Sequence, residues 1–298
     1  MTIGLLRYII PVLAMLLTVP NNNNNDPSLM LPVIFETDHL AVVAKPPGIP
    51  CHRTEIETSS GRKRLQRNED SGVTVLQLAR RTFPHHSNIH LVHRLDAVTS
   101  GCLLLAFSSN ACRQSSTALA QYGQKTYYSL CRGDGASLRD RGGPFLVNGD
   151  VKDSKGIQRQ AETEIEGLWG SSGTPRRCCL VQSRPRTGRW HQIRQHLGRE
   201  NFPIVGETRH HKDIRENRAW KEILDEIGIQ QRVCLHCHQL KIENGLEGLV
   251  ENGKLDVNCP LPLDMKTIIS LTDWAEDAQS ALPKLFETYP TVRKVACD

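Results

Sequence analysis

Ordered alternation of apolar and polar positions begins at Leu31. Val33-Ile34-Phe35 and Leu40-Ala41-Val42-Val43-Ala44 are short apolar runs on either side of Thr37-Asp38-His39, the pattern of a β-hairpin. Lys45-Pro46-Pro47-Gly48 ends the second run, because proline has no N–H to give to a strand ladder. Residues 52–72 are polar, basic and aperiodic and predict a loop, and Val73–Phe83 predicts a short helix. Cys102–Phe107 reads as a buried strand, 111–121 as a helix capped by Ser109 or Asn110, and Lys125–Cys131 as another strand. Residues 133–157, rich in Gly and Asp, predict a loop with short elements. Gln160–Ile165 and Cys178–Gln182 follow as strands. His191–Leu197 predicts a helix closed by Gly198, Arg232–Ile242 a strand, and 263–280 a final helix. Strands and helices mix without regular βαβ alternation and without internal repeats. The expected class is therefore α+β, with one domain over 31–280 and a tail over 281–298.

The segment before this pattern differs in kind. Tyr8–Val19 is apolar apart from Pro11 and Thr18, follows Arg7, and ends in Pro20 and the run Asn21–Asn25. It has the length of a targeting hydrophobic region and is short for a bilayer span, so residues 1–30 read as a targeting-like, disordered leader, with an N-terminal anchor or a start-site artefact as the alternatives. Such a leader implies import into an organelle, plastid or mitochondrion; without import the chain is cytoplasmic. No stable membrane association is expected of the mature domain. The 298-residue chain is long enough for a sizeable core, and 39% hydrophobic with 23% charged residues is ordinary for a globular protein. Charge is uneven: the segment from Glu243 onward carries five Lys/Arg and ten Asp/Glu, leaving residues 1–242 about +10. A basic body fits a polyanionic partner such as RNA. Ten scattered cysteines do not make the dense framework of a small secreted protein, and reduced thiols are expected.

Two segments could carry chemistry. In His93-Arg94-Leu95-Asp96, ahead of Thr99-Ser100-Gly101 and the apolar run, Asp96 stands at the mouth of a rigid strand beside Arg94. A neighbouring guanidinium keeps a carboxylate ionised, as a nucleophile requires, although an Asp–Arg pair supporting a turn would read the same way. Ser183-Arg184-Pro185-Arg186-Thr187-Gly188-Arg189-Trp190-His191-Gln192-Ile193-Arg194-Gln195-His196-Leu197 holds four arginines in eleven positions, suited to phosphate or carboxylate. On a helix His191, Arg194 and Gln195 share a face and leave Ile193 and Leu197 for the core; a solvated basic helix is the alternative. Cys234-Leu235-His236-Cys237-His238 has metal-ligand residue types but lacks a second pair at regular spacing. On a strand Cys237 would face away from Cys234, His236 and His238, so no metal site is expected.

Together the two segments resemble the RluA-type pseudouridine synthases, whose signatures are H-R-L-D-x-x-T-S-G and T-G-R-x-H-Q-I/L-R-x-H. Here they stand as His93–Gly101 and Thr187–His196, in the same order. Lys45-Pro46-Pro47-Gly48, Lys125-Thr126-Tyr127 and Arg232-Val233-Cys234-Leu235-His236 match further positions of the family, and the resemblance covers about residues 31–265. Pro203-Ile204-Val205-Gly206-Glu207-Thr208-Arg209-His210, Asn217-Arg218 and His52-Arg53 look most like the TruC-type branch, which modifies tRNA. Glu207 stands where Asp is usual, His211 where Gly is usual, and Cys102 replaces an aliphatic residue; the first two bear on the loop after the arginine helix.

The resemblance implies a pseudouridine synthase fold: a mixed, mainly antiparallel sheet with flanking helices and loops, a central active-site cleft, and no S4 module. It implies an isomerase that breaks the N-glycosidic bond of a flipped-out uridine, turns the uracil over and forms a C–C bond, with no cofactor or metal. Asp96 would attack the sugar C1′ or act there as a base. Tyr127 would stack on the flipped base, and Arg194 would pair with the catalytic carboxylate. Arg94, Arg184, Arg186, Arg189, His191 and Gln192 are the expected RNA contacts, and Tyr128 is expected in the core. The expected substrate is tRNA, with ribosomal or other organellar RNA as the alternative, and the protein is expected to be a monomer. A non-catalytic RNA-binding factor would have no need of Asp96, Tyr127 and Arg194 together, and a glycosidase would need a second acid that is not placed beside Asp96.

Overall fold

Val33–Glu36 (β1) and Leu40–Lys45 (β2) form the expected antiparallel hairpin, with Val33 opposite Val43 and Phe35 opposite Val42. The structure is a computed structural model that describes residues 29–52, 72–171, 173 and 176–289, with the backbone of 55–57 and 63–65. The leader expected over 1–30, apart from its last two positions, lies outside the described residues, as do Arg53 and the tail beyond Tyr289. The chain divides into two compact units. One holds the described residues of Pro20–Gly123 and Leu240–Cys259, with Tyr289; the other holds Gln124–Gln239 and Pro260–Thr288.

In the first unit, the stretch expected as a plain loop contains a short antiparallel hairpin, Glu55–Glu57 (β3) and Lys63–Leu65 (β4), whose register sets Glu57 opposite Lys63. The polar segment has no alternating apolar face by which periodicity would reveal the pair. Val75–Thr82 (α1) starts at a capping box in which Thr74 and Gln77 satisfy each other's backbone N–H groups. His90–Leu91 (β5) and β2 both pair antiparallel with Ser100–Ala106 (β6), and β2 and β6 are buried along their whole length, as continuous apolar runs require. Ser109–Tyr122 (α2) is capped by Ser108, not by Ser109 or Asn110: Ser108 has the extended backbone of a cap, and its Oγ accepts the Ala111 N–H at 3.1 Å.

In the second unit the strand order is Gly123–Arg132 (β7), Cys178–Pro185 (β12), Glu162–Ser171 (β11) and Phe145–Asn148 (β8), with every neighbour antiparallel. Ala136–Arg139 (α3) and the small hairpin Val151–Lys152 (β9) with Gln158–Arg159 (β10) fill the Gly/Asp-rich connection. Gln192–Arg199 (α4) runs past Gly198 and ends at Glu200, so that glycine is not the cap. Its residues from Gln192 to Leu197 are all buried, the polar ones included, because each polar side chain finds a partner inside the protein. Ile214–Glu226 (α5) is a helix that the sequence pattern does not predict; Asp213 caps it, and it buries Trp220 and Leu224, four positions apart on one face. Leu235–Ile242 (β13) contains the division after Gln239, and Leu255–Asn258 (β14) belongs to the first unit. The single helix expected over 263–280 is broken into Leu263–Ser270 (α6) and Ala275–Ala281 (α7), followed by Pro283–Phe286 (α8). The break forms where Thr272 folds its hydroxyl back to donate to the Ile269 carbonyl, at 2.7 Å.

Candidate active site

Asp96 lies in a turn that enters β6, closed by the Thr99 N–H donating to the Asp96 carbonyl at 3.0 Å. The turn is held from beneath by a lysine at the end of β2. Lys45 is 1% exposed, and its Nζ donates to the carbonyls of Ala97 (2.9 Å), Thr99 (2.8 Å) and Pro46 (2.9 Å). The Gly48 N–H adds a second bond to Ala97 at 2.8 Å, made from a φ of +83° that favours glycine. Cys51 Sγ donates to the Leu95 carbonyl at 3.3 Å, and Leu104 N–H donates to His93 Nε2 at 3.2 Å. The His-Arg-Leu-Asp turn is thus fixed on both flanks, with Leu95 buried and Asp96 half-buried. Arg94 is exposed, and its Nη1 lies 3.2 Å from His52 Nε2. Burial, followed by the charge of Arg94, lowers the His52 pKa, so that imidazole stays neutral.

In the second unit α4 presents Arg194 to a buried carboxylate. Arg194 Nε and Nη2 donate to the two oxygens of Glu207 at 2.6 and 3.1 Å, with Arg194 6% exposed and Glu207 fully buried. The N–H groups of Arg209 (2.7 Å) and His210 (3.1 Å) also donate to Glu207. Burial raises the Glu207 pKa. The hydrogen bond and charge of Arg194 and the two N–H donors outweigh it and hold the group at about 2. Gly206, at φ +84°, makes this loop possible: a Cβ there would stand 1.9 Å from the Arg232 carbonyl oxygen. His191, at the start of α4, adopts φ +51°, uncommon for a non-glycine residue. It stacks on Trp190 with ring centroids 3.7 Å apart, and its Nδ1 lies 2.8 Å from His210 Nε2. Burial, then the nearby Arg194, lowers the His191 pKa to about 3, so the ring is neutral at neutral pH.

The other expected site residues fall into distinct settings. Tyr127 is buried on β7, opposite Ser183 of β12. Tyr128 is buried too; its hydroxyl donates to Gln182 Oε1 at 3.0 Å, and burial pushes its pKa up to about 12, as a core tyrosine should show. Arg184 donates to Glu164 at 2.8 Å, Arg186 lies 3.5 Å from the same carboxylate, and Arg189 donates to the Gln160 carbonyl at 3.1 Å; Arg186 and Arg189 are exposed. Gln192 is 4% exposed, and its amide is engaged by the protein. Its Oε1 accepts from Thr187 Oγ1 and Arg189 N–H, and its Nε2 donates to the Glu162 carbonyl and to Thr163 Oγ1. Gln192 fastens α4 to β11.

Lys45 and Glu207 are supports that the sequence does not reveal as such. Lys45 reads as the end of a strand, and Glu207 only as a departure from a pattern. A charged residue closing an otherwise apolar strand is the available signal for Lys45; nothing local pairs Glu207 with Arg194. Among the described residues no group of three or more His, Cys, Asp or Glu is placed to hold a metal ion.

The sequence model of the family described as RNA pseudouridylate synthase matches residues 39–198, which include Asp96, Tyr127 and Arg194. The chain is 31% identical over 233 residues to a tRNA pseudouridine synthase C of Yersinia pestis, covering 74% of this chain and 83% of that protein. A protein of the same name from Vibrio cholerae is 29% identical, covering 71% and 85%. Among solved structures, human RNA pseudouridylate synthase domain containing 4 aligns with a TM-score of 0.55 at 19% identity, over 97% of this chain and 99% of that one. The human domain containing 1 protein aligns at 0.57 and 18% identity, over 88% and 97%. At these identities the structural matches speak to the fold, and they agree with the mixed, mainly antiparallel architecture.

Proposed function

The chain belongs to the RNA pseudouridylate synthase family, and from that premise we propose that it isomerises a uridine of tRNA through Asp96. The general activity, conversion of uridine to pseudouridine in RNA, is that of the family. The choice of tRNA draws on the names of its relatives and on the TruC-like run Pro203–His210. We assign the activity to the whole of 31–280, with Asp96 acting at the sugar, Tyr127 offering its ring to the extruded base, and Arg194 serving as the guanidinium partner of the reaction. Arg94, Arg184, Arg186, Arg189 and His191 are assigned to the RNA, and Gln192 supports them from behind.

The observation that carries Asp96 is the construction of its turn. A buried lysine directs its ammonium at three backbone carbonyls, two of them within three residues of Asp96. Burying an ammonium is costly, and placing it beneath one turn makes sense where the turn must be rigid. A carboxylate held in this way loses little orientation freedom on meeting its substrate. The extruded uridine needs a flat apolar partner and a cation near its phosphate or the reacting carboxylate, roles suited to Tyr127 and to an Arg194 preoriented by Glu207. The test is pseudouridine formation by the purified protein on unmodified tRNA and, separately, on ribosomal RNA. Product in tRNA supports the reading; product confined to ribosomal RNA overturns the choice of substrate while leaving the chemistry in place.

A further inference from the structure

A cavity lies within the second unit, beside the loop that follows α4. It has a volume of about 580 Å³ and is lined by Arg132, Arg176, Arg177, His211, Asp213 and Glu216, among others. Its two carboxylates are already engaged. Asp213 caps α5 by accepting the Glu216 N–H at 3.0 Å, and Glu216 accepts Arg176 Nε at 3.0 Å and Nη2 at 2.5 Å. The cations are less fully used. Arg132 is 4% exposed; its Nη2 donates to the Glu207 carbonyl at 2.6 Å and to Asn217 Oδ1, but its Nε and Nη1 are buried with no hydrogen-bond partner among the described residues. His211 Nδ1, on the same cavity, is also buried and has no partner among the described residues. Arg177 is exposed at the wall.

Buried guanidinium N–H groups without acceptors are rare, and a missing acceptor is the simplest reason for them. An acceptor for buried guanidinium N–H groups beside a second arginine is most naturally an oxyanion with several oxygens. The geometry points to this cavity as a phosphate-binding site in which Arg132 and Arg177 take the oxygens and His211 adds a contact. Two sources share that chemistry: a backbone phosphate of the substrate RNA, or a free phosphate-bearing small molecule. The RNA source rests on the proposed reading of the protein as acting on RNA. His211 stands where the family resemblance expects glycine, so its side chain is a feature of this chain.

The site is physically continuous with the arginine loop. Arg132 holds the main chain of Glu207, whose carboxylate holds Arg194. A phosphate that accepts from Arg132 would therefore fix the loop that orients Arg194, and Arg132 is a positioning residue in this scheme. RNA bound across the cavity would couple its own docking to that orientation.

The experiment uses the full chain as wild type, Arg177→Gln and Arg132→Gln. Inorganic phosphate is titrated while the arginine Nε–H signals are followed by NMR, and binding of unmodified tRNA is measured over a range of salt concentrations. Phosphate should shift the Arg132 signal in wild type and do so far more weakly in Arg177→Gln. If the RNA backbone is the source, each variant should also flatten the slope of log affinity against log salt by roughly one, because one phosphate is no longer neutralised by the protein. A phosphate response with unchanged salt slopes supports the site and assigns it to a free phosphate. Flattened slopes without a response to inorganic phosphate assign it to the RNA alone. No phosphate response together with unchanged slopes in Arg177→Gln overturns the inference, and because Arg177 is exposed this result does not depend on Arg132→Gln folding. Pseudouridine formation by wild type is read in parallel, so failure of the cavity is distinguishable from failure of the isomerase assignment.

Discussion

Replacing Glu207 by Gln keeps the length and shape of the side chain but removes the charge opposite Arg194. The magnitude can be worked from the site in two ways. The carboxylate is held at about 2 against an ordinary 4.5. At about 1.4 kcal/mol per unit, that difference is worth about 3 kcal/mol of folding stability at neutral pH. Independently, removing one partner of a buried ion pair leaves the other uncompensated and costs about 3–5 kcal/mol, and the retained amide oxygen puts Glu207→Gln at the lower end. The sign follows from the depressed value: the contribution is complete above about pH 4.5 and is lost as pH falls from there toward about 2. Urea unfolding of both proteins at a series of pH values reads this directly. Glu207→Gln should lie about 3 kcal/mol below wild type at pH 7, in the transition of the unit that contains Gln124–Gln239, and the gap should close progressively below about pH 4.5. A gap under about 1 kcal/mol at pH 7, or one that does not change with pH, would refute the view that Glu207 is a buried, ionised counter-charge.

Lys45→Met should remove the ammonium donor from the Pro46, Ala97 and Thr99 carbonyls, of which Ala97 keeps the Gly48 N–H; at about 1 kcal/mol per bond lost it should cost about 2–3 kcal/mol by chemical denaturation and reduce pseudouridine formation more than tenfold. Gly206→Ala should lower the melting temperature by several degrees, since its Cβ would collide with the Arg232 carbonyl and the residue would keep an unfavourable positive φ; an unchanged melt would show that the loop relaxes freely. Gln192→Ala should act on stability more than on RNA affinity, because its amide faces Glu162, Thr163, Thr187 and Arg189; weaker RNA binding at unchanged stability would make it a direct contact instead.

The elements with a strong local signal are legible in the sequence. Continuous apolar runs mark β2 and β6, and the helix expected over Val73–Phe83 forms as Val75–Thr82. Elements set by context are harder to read. α5 buries Trp220 and Leu224 within a strongly charged segment, so its apolar stripe is narrow, and the Pro203–His210 motif just before it suggests a loop. Gly198 has the identity of a helix cap, yet α4 continues because Gln195 and His196 find partners at Lys152, Thr163 and Gly149 that only tertiary structure supplies. The candidate site shows the same division. Motif spacing names Asp96, Tyr127 and Arg194, but which groups hold the site together depends on contacts across 13 positions for Arg194–Glu207 and up to 54 for Lys45–Thr99. Such partners leave no periodic trace along the chain.

The central claim is tested most directly by pseudouridine mapping of unmodified tRNA after incubation with wild type and with Asp96→Asn, alongside RNA binding by both. The substitution keeps the size of the side chain and leaves the Lys45 contacts to the turn backbone in place. Wild type should convert a defined uridine, and Asp96→Asn should bind the same RNA with closely similar affinity and form no pseudouridine. Conversion by Asp96→Asn at the wild-type rate would contradict the assignment of Asp96.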